Sequence, residues 1–173
     1  TGAELMHTVQ VLADPRVRGR GAQTVEARLV GAYIAEQFMR WQIPPLQEGY
    51  FLLNPDGVDP NITAIRRGDS EEYVLIGAHY DHLGVRGGRI HPGADDNASG
   101  VAVMLALARR FSRARCQRSL VFVSFGSEER GMLGAKAWVR TPPLPLKACA
   151  RMINLDMVGR RYLLEAFMKT SMP

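Results

Sequence analysis

The sequence predicts an α/β fold, a mixed, largely parallel sheet flanked by helices, and three observations predict it. Residues 73–78, 120–125 and 152–155 are near-continuous apolar runs, the pattern of strands buried on both faces. Helical patterns over 98–112 and 131–140 separate these runs, so strand and helix alternate along the chain. Each run is followed within a few residues by ionisable side chains, as expected where parallel strands end at a functional edge.

The elements follow in order. From residue 3 to about 13, and again over 24–41, apolar residues recur at helical spacing. In the second stretch these are Val25, Leu29, Ala32, Ile34, Ala35, Phe38 and Met39, with Thr24 placed to cap the first turn. Residues 50–53 and 62–66 are rich in Tyr, Phe, Leu and Ile and flank Asn54-Pro55-Asp56-Gly57, a cluster of turn formers, which predicts an antiparallel pair. The three buried strands and two crossover helices come next, the second helix closed by Thr141-Pro142-Pro143. Strand, helix, strand, helix, strand implies right-handed crossovers. In the tail, Leu163, Leu164, Phe167 and Met168 lie at helical spacing.

With 173 residues, 46% hydrophobic and 23% charged, the chain is long enough to bury a core without a metal or disulfide to staple it. No run approaches the ~18 apolar residues of a membrane span. Thr1 opens no signal-peptide pattern, so the expected location is secreted or cell envelope with the signal removed; the cytoplasm stays open. The net charge of +5 is scattered. Its densest group, Arg109, Arg110, Arg113, Arg115 and Arg118, follows an apolar helical pattern without interleaved aromatics, which reads as a solvated helix end rather than a nucleic-acid surface. Cys116 and Cys149 fit neither a zinc ribbon nor a redox pair, leaving two free thiols or a disulfide between neighbouring strand starts.

The chemistry gathers at the strand ends. The first buried run leads into His79-Tyr80-Asp81-His82, the second into Ser127-Glu128-Glu129, the third into Asp156, and Asp95-Asp96-Asn97 precedes the first crossover helix. Singly, each has a plain explanation: a helix N-cap for Asp95-Asp96-Asn97, first-turn acids for Glu128-Glu129, a turn for Asp156. Together they would place one His and at least four carboxylates on one edge, and the mutual repulsion of those carboxylates calls for a divalent cation, or two.

Four motifs, Gly77-Ala-His79-Tyr-Asp81-His-Leu-Gly84, Gly93-Ala-Asp95-Asp96-Asn-Ala-Ser-Gly100, Ser127-Glu128-Glu129-Arg-Gly-Met-Leu-Gly134 and Ile153-Asn-Leu-Asp156-Met-Val-Gly159, resemble in order the signatures of the co-catalytic zinc aminopeptidases, relatives of glutamate carboxypeptidase. The resemblance covers about residues 61–159. It implies a three-layer sandwich and two zinc ions bridged by Asp95, with His79 and Asp156 completing one site and Glu129 serving the other. It further implies Glu128 as general base, Asp81 as the carboxylate orienting a ligand imidazole, and a cis peptide between Asp95 and Asp96. The implied reaction is removal of N-terminal residues from a peptide substrate by an activated water.

The family pattern also has a His well beyond the Asp156 motif, whereas none of the 17 residues after Asp156 is His. The resemblance thus predicts a single catalytic domain over 1–173, incomplete at its C-terminus and lacking the last strands and helix of the fold, with the His79, Asp95, Asp156 site the better filled. The other site should be weak, although His82, three residues from His79, and His91, close to Asp95, stand near enough in sequence to approach the metals. An exposed strand edge or the tail helix would favour self-association. Alternatives are a catalytically impaired metal-binding fragment or pseudoenzyme, or carboxypeptidase- or glutaminyl-cyclase-like chemistry on the same fold.

Overall fold

The computed structural model describes residues 1–160 except residue 56. The tail helix expected beyond residue 160 lies outside the described residues. Helix α1, Gly2–Leu12, opens the chain, and α2, Val25–Arg40, follows a short 3-10 turn. Thr24 caps α2 as its pattern suggests, its hydroxyl accepting the Ala27 N–H at 3.2 Å.

Strands β1, Phe51–Leu52, and β2, Asn61–Arg66, form the expected antiparallel pair, Phe51 opposite Ile62. Then come β3, Tyr73–His79, the hairpin strands β4, Gly84–Arg86, and β5, Arg89–His91, and helix α3, Gly100–Phe111. Strand β6, Ser119–Phe125, helix α4, Leu133–Arg140, and β7, Cys149–Asn154, complete the described chain. The β4–β5 hairpin was not expected from the sequence, although Gly87-Gly88, both at positive φ, turn it tightly.

The main sheet has the order β1-β2-β6-β3-β7, with β6, β3 and β7 parallel and β2 antiparallel to β6. From β3 the chain steps one way to β6 and then back across β3 to β7. Right-handed crossovers running in opposite directions put their helices on opposite faces of a sheet. The packing agrees. Ile62, Ala64, Ile76, Ala78 and Phe122 point to the face covered by α1, α2 and α3, where Leu12, Ile34, Phe38, Met104 and Leu105 are buried. Their sequence neighbours Ile65, Leu75, Val121, Val123 and Phe125 point to the other face, against Trp138 of α4. This period-two division makes both faces of β3 and β6 apolar and gives the three layers.

One strand departs from expectation. Met152 and Ile153 of β7 are 54% and 46% exposed, not buried on both faces. Strand β7 is an edge: among the described residues it pairs with β3 alone. In the basic run that starts in the last turn of α3, Arg109 pairs with Glu4, Arg115 with Asp69 at 3.3 Å and Arg118 with Glu72 at 2.7 Å. Both cysteines are free thiols. No helix among the described residues is long and apolar enough to cross a membrane.

Candidate functional site

Parallel pairing of β6, β3 and β7 brings three carboxyl ends side by side, and the motifs sit on them. His79 ends β3, Glu128 and Glu129 form a 3-10 turn just past β6, and Asp156 lies two residues past β7. The fourth segment, residues 94–99, is a widened helical turn leading into α3, broken by non-helical backbone at Asp96 and Asn97.

That break decides which aspartate faces the cleft. Asp95 turns away: its Oδ1 accepts the Gly159 N–H at 2.9 Å, and its Oδ2 lies 3.0 Å from Arg160 Nε. Asn97 Oδ1 accepts the Met157 N–H at 3.2 Å, Asn97 Nδ2 donates to Leu155 O at 2.9 Å, and Ser99 Oγ accepts the Val158 N–H at 3.1 Å. Residues 95, 97 and 99 thus grip the loop that carries Asp156. Asp96 alone points inward, its Oδ1 3.2 Å from His79 Nε2 and its Oδ2 3.7 Å from His82 Nδ1. Asp95, expected to bridge two ions, thus faces away from the cleft where Asp96 faces into it, and the cis peptide is Asp96–Asn97, not Asp95–Asp96.

Two groups of donors result, His79 with Asp96 and Asp156, and His82 with Asp96 and Glu129, each with its donor atoms within 4.8 Å of one another. Tetrahedral zinc with ligand bonds near 2.0–2.1 Å places its ligand atoms roughly 3.3 Å apart. The separations from His79 Nε2, 3.2 Å to Asp96 and 3.7 Å to Asp156 Oδ1, suit such an ion. Imidazole nitrogen with carboxylate oxygen is also a donor set that zinc accepts. Glu128 Oε2 stands 4.0 Å from His79 Nε2, next to this group. Burial raises the Glu128 pKa above the usual carboxylate value, the charges of Glu129, Asp156 and Asp96 add to it, and His79 opposes.

Asp81 is fully buried, and its carboxylate works differently from the expected imidazole orienter. Its oxygens accept the N–H groups of Glu128 and Glu129 at 2.9 and 3.1 Å. The His79 Nδ1 partner is instead the main-chain oxygen of Asp81 at 3.1 Å, the carboxylate standing 3.9 Å off. Asp81 therefore sets the position of both glutamates. Burial pushes its pKa up to about 6, opposed by those N–H groups and by His79.

Two buried supports were not signalled by the motifs. Arg20, fully buried, donates from its guanidinium to the carbonyls of Tyr80, Leu12, Pro92, Gly93 and Asp96 at 2.5–3.1 Å. It clasps the end of β3 to the loop that presents Asp96. Burial lowers its pKa to about 10 against the attraction of Asp81, Asp96 and Glu129, so the guanidinium remains charged at neutral pH. Asp59 accepts the Ser127 hydroxyl at 2.8 Å and fixes the left-handed corner, φ 53°, from which Glu128 starts. Next to the first donor group, Phe125, Met132, Ala135 and Met152 wall a cavity of about 290 Å³.

The family model described as Peptidase family M28 matches residues 61–171. A probable zinc metalloprotease of Pyrenophora tritici-repentis is 44% identical over 96 residues, covering 53% of this chain and 22% of that protein. Aminopeptidase YwaD of Bacillus subtilis is 38% identical over 89 residues, 51% of this chain and 18% of that protein. Among solved structures, the aminopeptidase from Aneurinibacillus sp. strain AM-1 superposes with a TM-score of 0.75 at 18% identity, over 93% of this chain and 71% of that one, a likeness of fold. The chain thus spans about a fifth of the length of these curated relatives.

Proposed function

Because the chain belongs to peptidase family M28, we propose that it serves a zinc-dependent aminopeptidase, hydrolysing the N-terminal peptide bond of peptide substrates. The observation that carries this reading is the Asp96 carboxylate, which turns one oxygen toward His79 and the other toward His82, with Glu128 at the cleft. His79, Asp96 and Asp156 would hold one ion, and Asp96 and Glu129 would contribute to a second. Bound zinc supplies Lewis-acid polarisation of the scissile carbonyl and lowers the pKa of water.

The protein's own groups do the rest. Glu128 accepts the proton of the attacking water and returns it to the departing amine; a carboxyl whose pKa burial raises takes a proton more readily than an ordinary carboxylate. Asp81 holds the Glu128 N–H, so the general base starts from a fixed backbone position. The apolar wall of Phe125, Met132, Ala135 and Met152 suits the side chain of the substrate's first residue. Among the described residues β7 pairs on one side alone, which supports pairing with a second copy, to be tested by molecular mass across a range of concentrations. Location outside the cytoplasm belongs to the same reading and is tested by fractionation.

Glu128→Gln tests the assignment. Zinc content should be unchanged while hydrolysis of an aminoacyl-anilide falls at least about 100-fold, the range expected when a general base is lost. A fully active Glu128→Gln protein would remove Glu128 from this role.

A further inference from the structure

Glu128 and Met132 ride on one turn. The Glu128 main-chain oxygen accepts the N–H groups of Gly131 and Met132 at 2.8 and 2.7 Å. The Leu133 N–H donates to Ser127 O at 3.1 Å, and the Gly134 N–H closes the loop on Gly126 O at 3.0 Å. Residues 126–134 are therefore stitched to one another, and they carry the general base together with one wall of the apolar cavity. Such a loop keeps its shape, but its placement depends on what grips its neck.

That grip is Asn61. The β2–β6 ladder reaches Ile62 opposite Ser124, and Pro60 has no N–H with which to prolong it. Asn61, fully buried at the start of β2, takes over with its side chain. Its Oδ1 accepts the Gly126 N–H at 3.1 Å and its Nδ2 donates to Gly134 O at 3.0 Å, so one carboxamide holds both ends of the segment. The close approach needs glycine at 134, where a Cβ would collide with Asn61 Oδ1 and with Gly126 O. Asn54 steadies the carboxamide, its Nδ2 donating to Asp59 O at 2.6 Å and to Asn61 Oδ1 at 3.3 Å. A buried polar network satisfied in this way fixes geometry where an apolar side chain of equal size would only fill space. The turn is thus held at its middle by Asp81 and at its neck by Asn61.

We propose that Asn61 is a positioning residue for the reaction. It sets where Glu128 stands and, through the same turn, where Met132 walls the cavity, so that rate and first-residue preference are tied together. The proposal rests on the peptidase reading for the task of Glu128, and adds to it a residue outside the cleft that governs both properties.

The experiment compares wild type with Asn61→Ala, using leucyl- and alanyl-anilide hydrolysis and amide hydrogen exchange by NMR. In Asn61→Ala, kcat should fall about 10–100-fold on both anilides, as expected of a displaced catalytic group. The leucyl over alanyl preference in kcat/KM should shrink at least about threefold. The Glu128 and Met132 N–H groups, which do not touch Asn61, should exchange at least about 10-fold faster, while those of Leu75 and Ile76 in β3 hold. Ile34→Ala, which opens a cavity in the core beneath α2, controls for lost stability alone and should keep both kcat and preference. Asn61→Asp keeps the acceptor for Gly126 and loses the donor to Gly134, so it should fall between wild type and Asn61→Ala; it decides alone should Asn61→Ala not fold. Wild-type turnover in Asn61→Ala, an unchanged leucyl preference, or turn amides that exchange no faster would overturn the proposal. A kcat loss matched by Ile34→Ala would also overturn it, leaving Asn61 a stabilising residue only. A wild type that hydrolyses neither anilide would overturn the peptidase reading and the proposal with it, whereas an active wild type with unaltered variants would overturn the proposal alone.

Discussion

Replacing Arg20 by Met keeps the length of the side chain and removes all five of its N–H···O=C bonds. A buried carbonyl left unpaired costs about 1–3 kcal/mol, and the Met side chain, seated where Arg20 is fully buried, offers the five no replacement donor. Relief from burying a cation offsets part of that loss. Three carbonyls stranded at about 1–2 kcal/mol each give a net destabilisation of roughly 3–5 kcal/mol, the range seen when a buried charged partner is removed. For a domain of this size that corresponds to a melting temperature lower by about 6–20 °C. Arg20 also sits at φ 40°, a backbone region uncommon for side chains, which the guanidinium's contacts hold in place. The Lys variant keeps the charge but lacks the planar fork, so it should fall between wild type and Met. The assay is thermal unfolding by circular dichroism together with zinc titration, because the carbonyls of residues 92, 93 and 96 belong to the Asp96 loop. If Arg20→Met melts within 2 °C of wild type, a shift worth less than about 1 kcal/mol, and binds zinc equally well, the clasp does not hold the site and the reasoning fails.

Asp96→Asn and Asp95→Asn separate adjacent aspartates by their surroundings. The first should abolish high-affinity zinc binding, whereas the second keeps an acceptor for the Gly159 N–H and should weaken zinc by no more than about 10–100-fold; equal losses, or the reverse order, in calorimetric titration would undo the assignment. Gly100→Ala should lower the melting temperature although alanine favours helix, because its Cβ would lie 2.2 Å from Leu155 O and 2.4 Å from Asn97 Oδ1. Strain of about 1–3 kcal/mol then exceeds the roughly 1 kcal/mol gained in propensity. Gly2→Ala, with nothing within 4 Å, serves as its control and should be neutral or slightly stabilising.

The alternation in Leu75, Ile76, Val121, Phe122 and Val123 made β3 and β6 legible from sequence, and the elements between them followed. The cleft residues were legible as motifs, but the two neighbouring aspartates were not separable by spacing. Which one faces inward depends on the break in helical backbone at Asp96 and Asn97, with φ/ψ of −103°/101° and −127°/39°, a local conformation that no periodic pattern announces. The burial expected of β7 failed for a different reason. An apolar run records what a strand can tolerate, not whether a neighbour covers it. Arg20 and Asp59 lie outside the motifs, and their roles depend on contacts 60–76 and 68 residues away along the chain for the clasp carbonyls of Tyr80, Pro92, Gly93 and Asp96 and for Ser127. Only Gly87-Gly88 offered a readable signal that went unused, a turn dipeptide flanked by Val85 and Ile90.

The grip of residues 95, 97 and 99 on the loop after β7 also bears on how the domain breathes. An edge strand held on one side should be among the first parts to open locally, and hydrogen exchange would report that opening. Here its carboxyl end is riveted to the turn leading into α3, which accepts the N–H groups of Met157, Val158 and Gly159 and donates to Leu155 O. A ligand bound across His79, Asp96 and Asp156 can engage only the closed form, so its binding energy is added to the closure of this edge. Amide protection along β7 then becomes a gauge of site occupancy, readable far from the reaction itself.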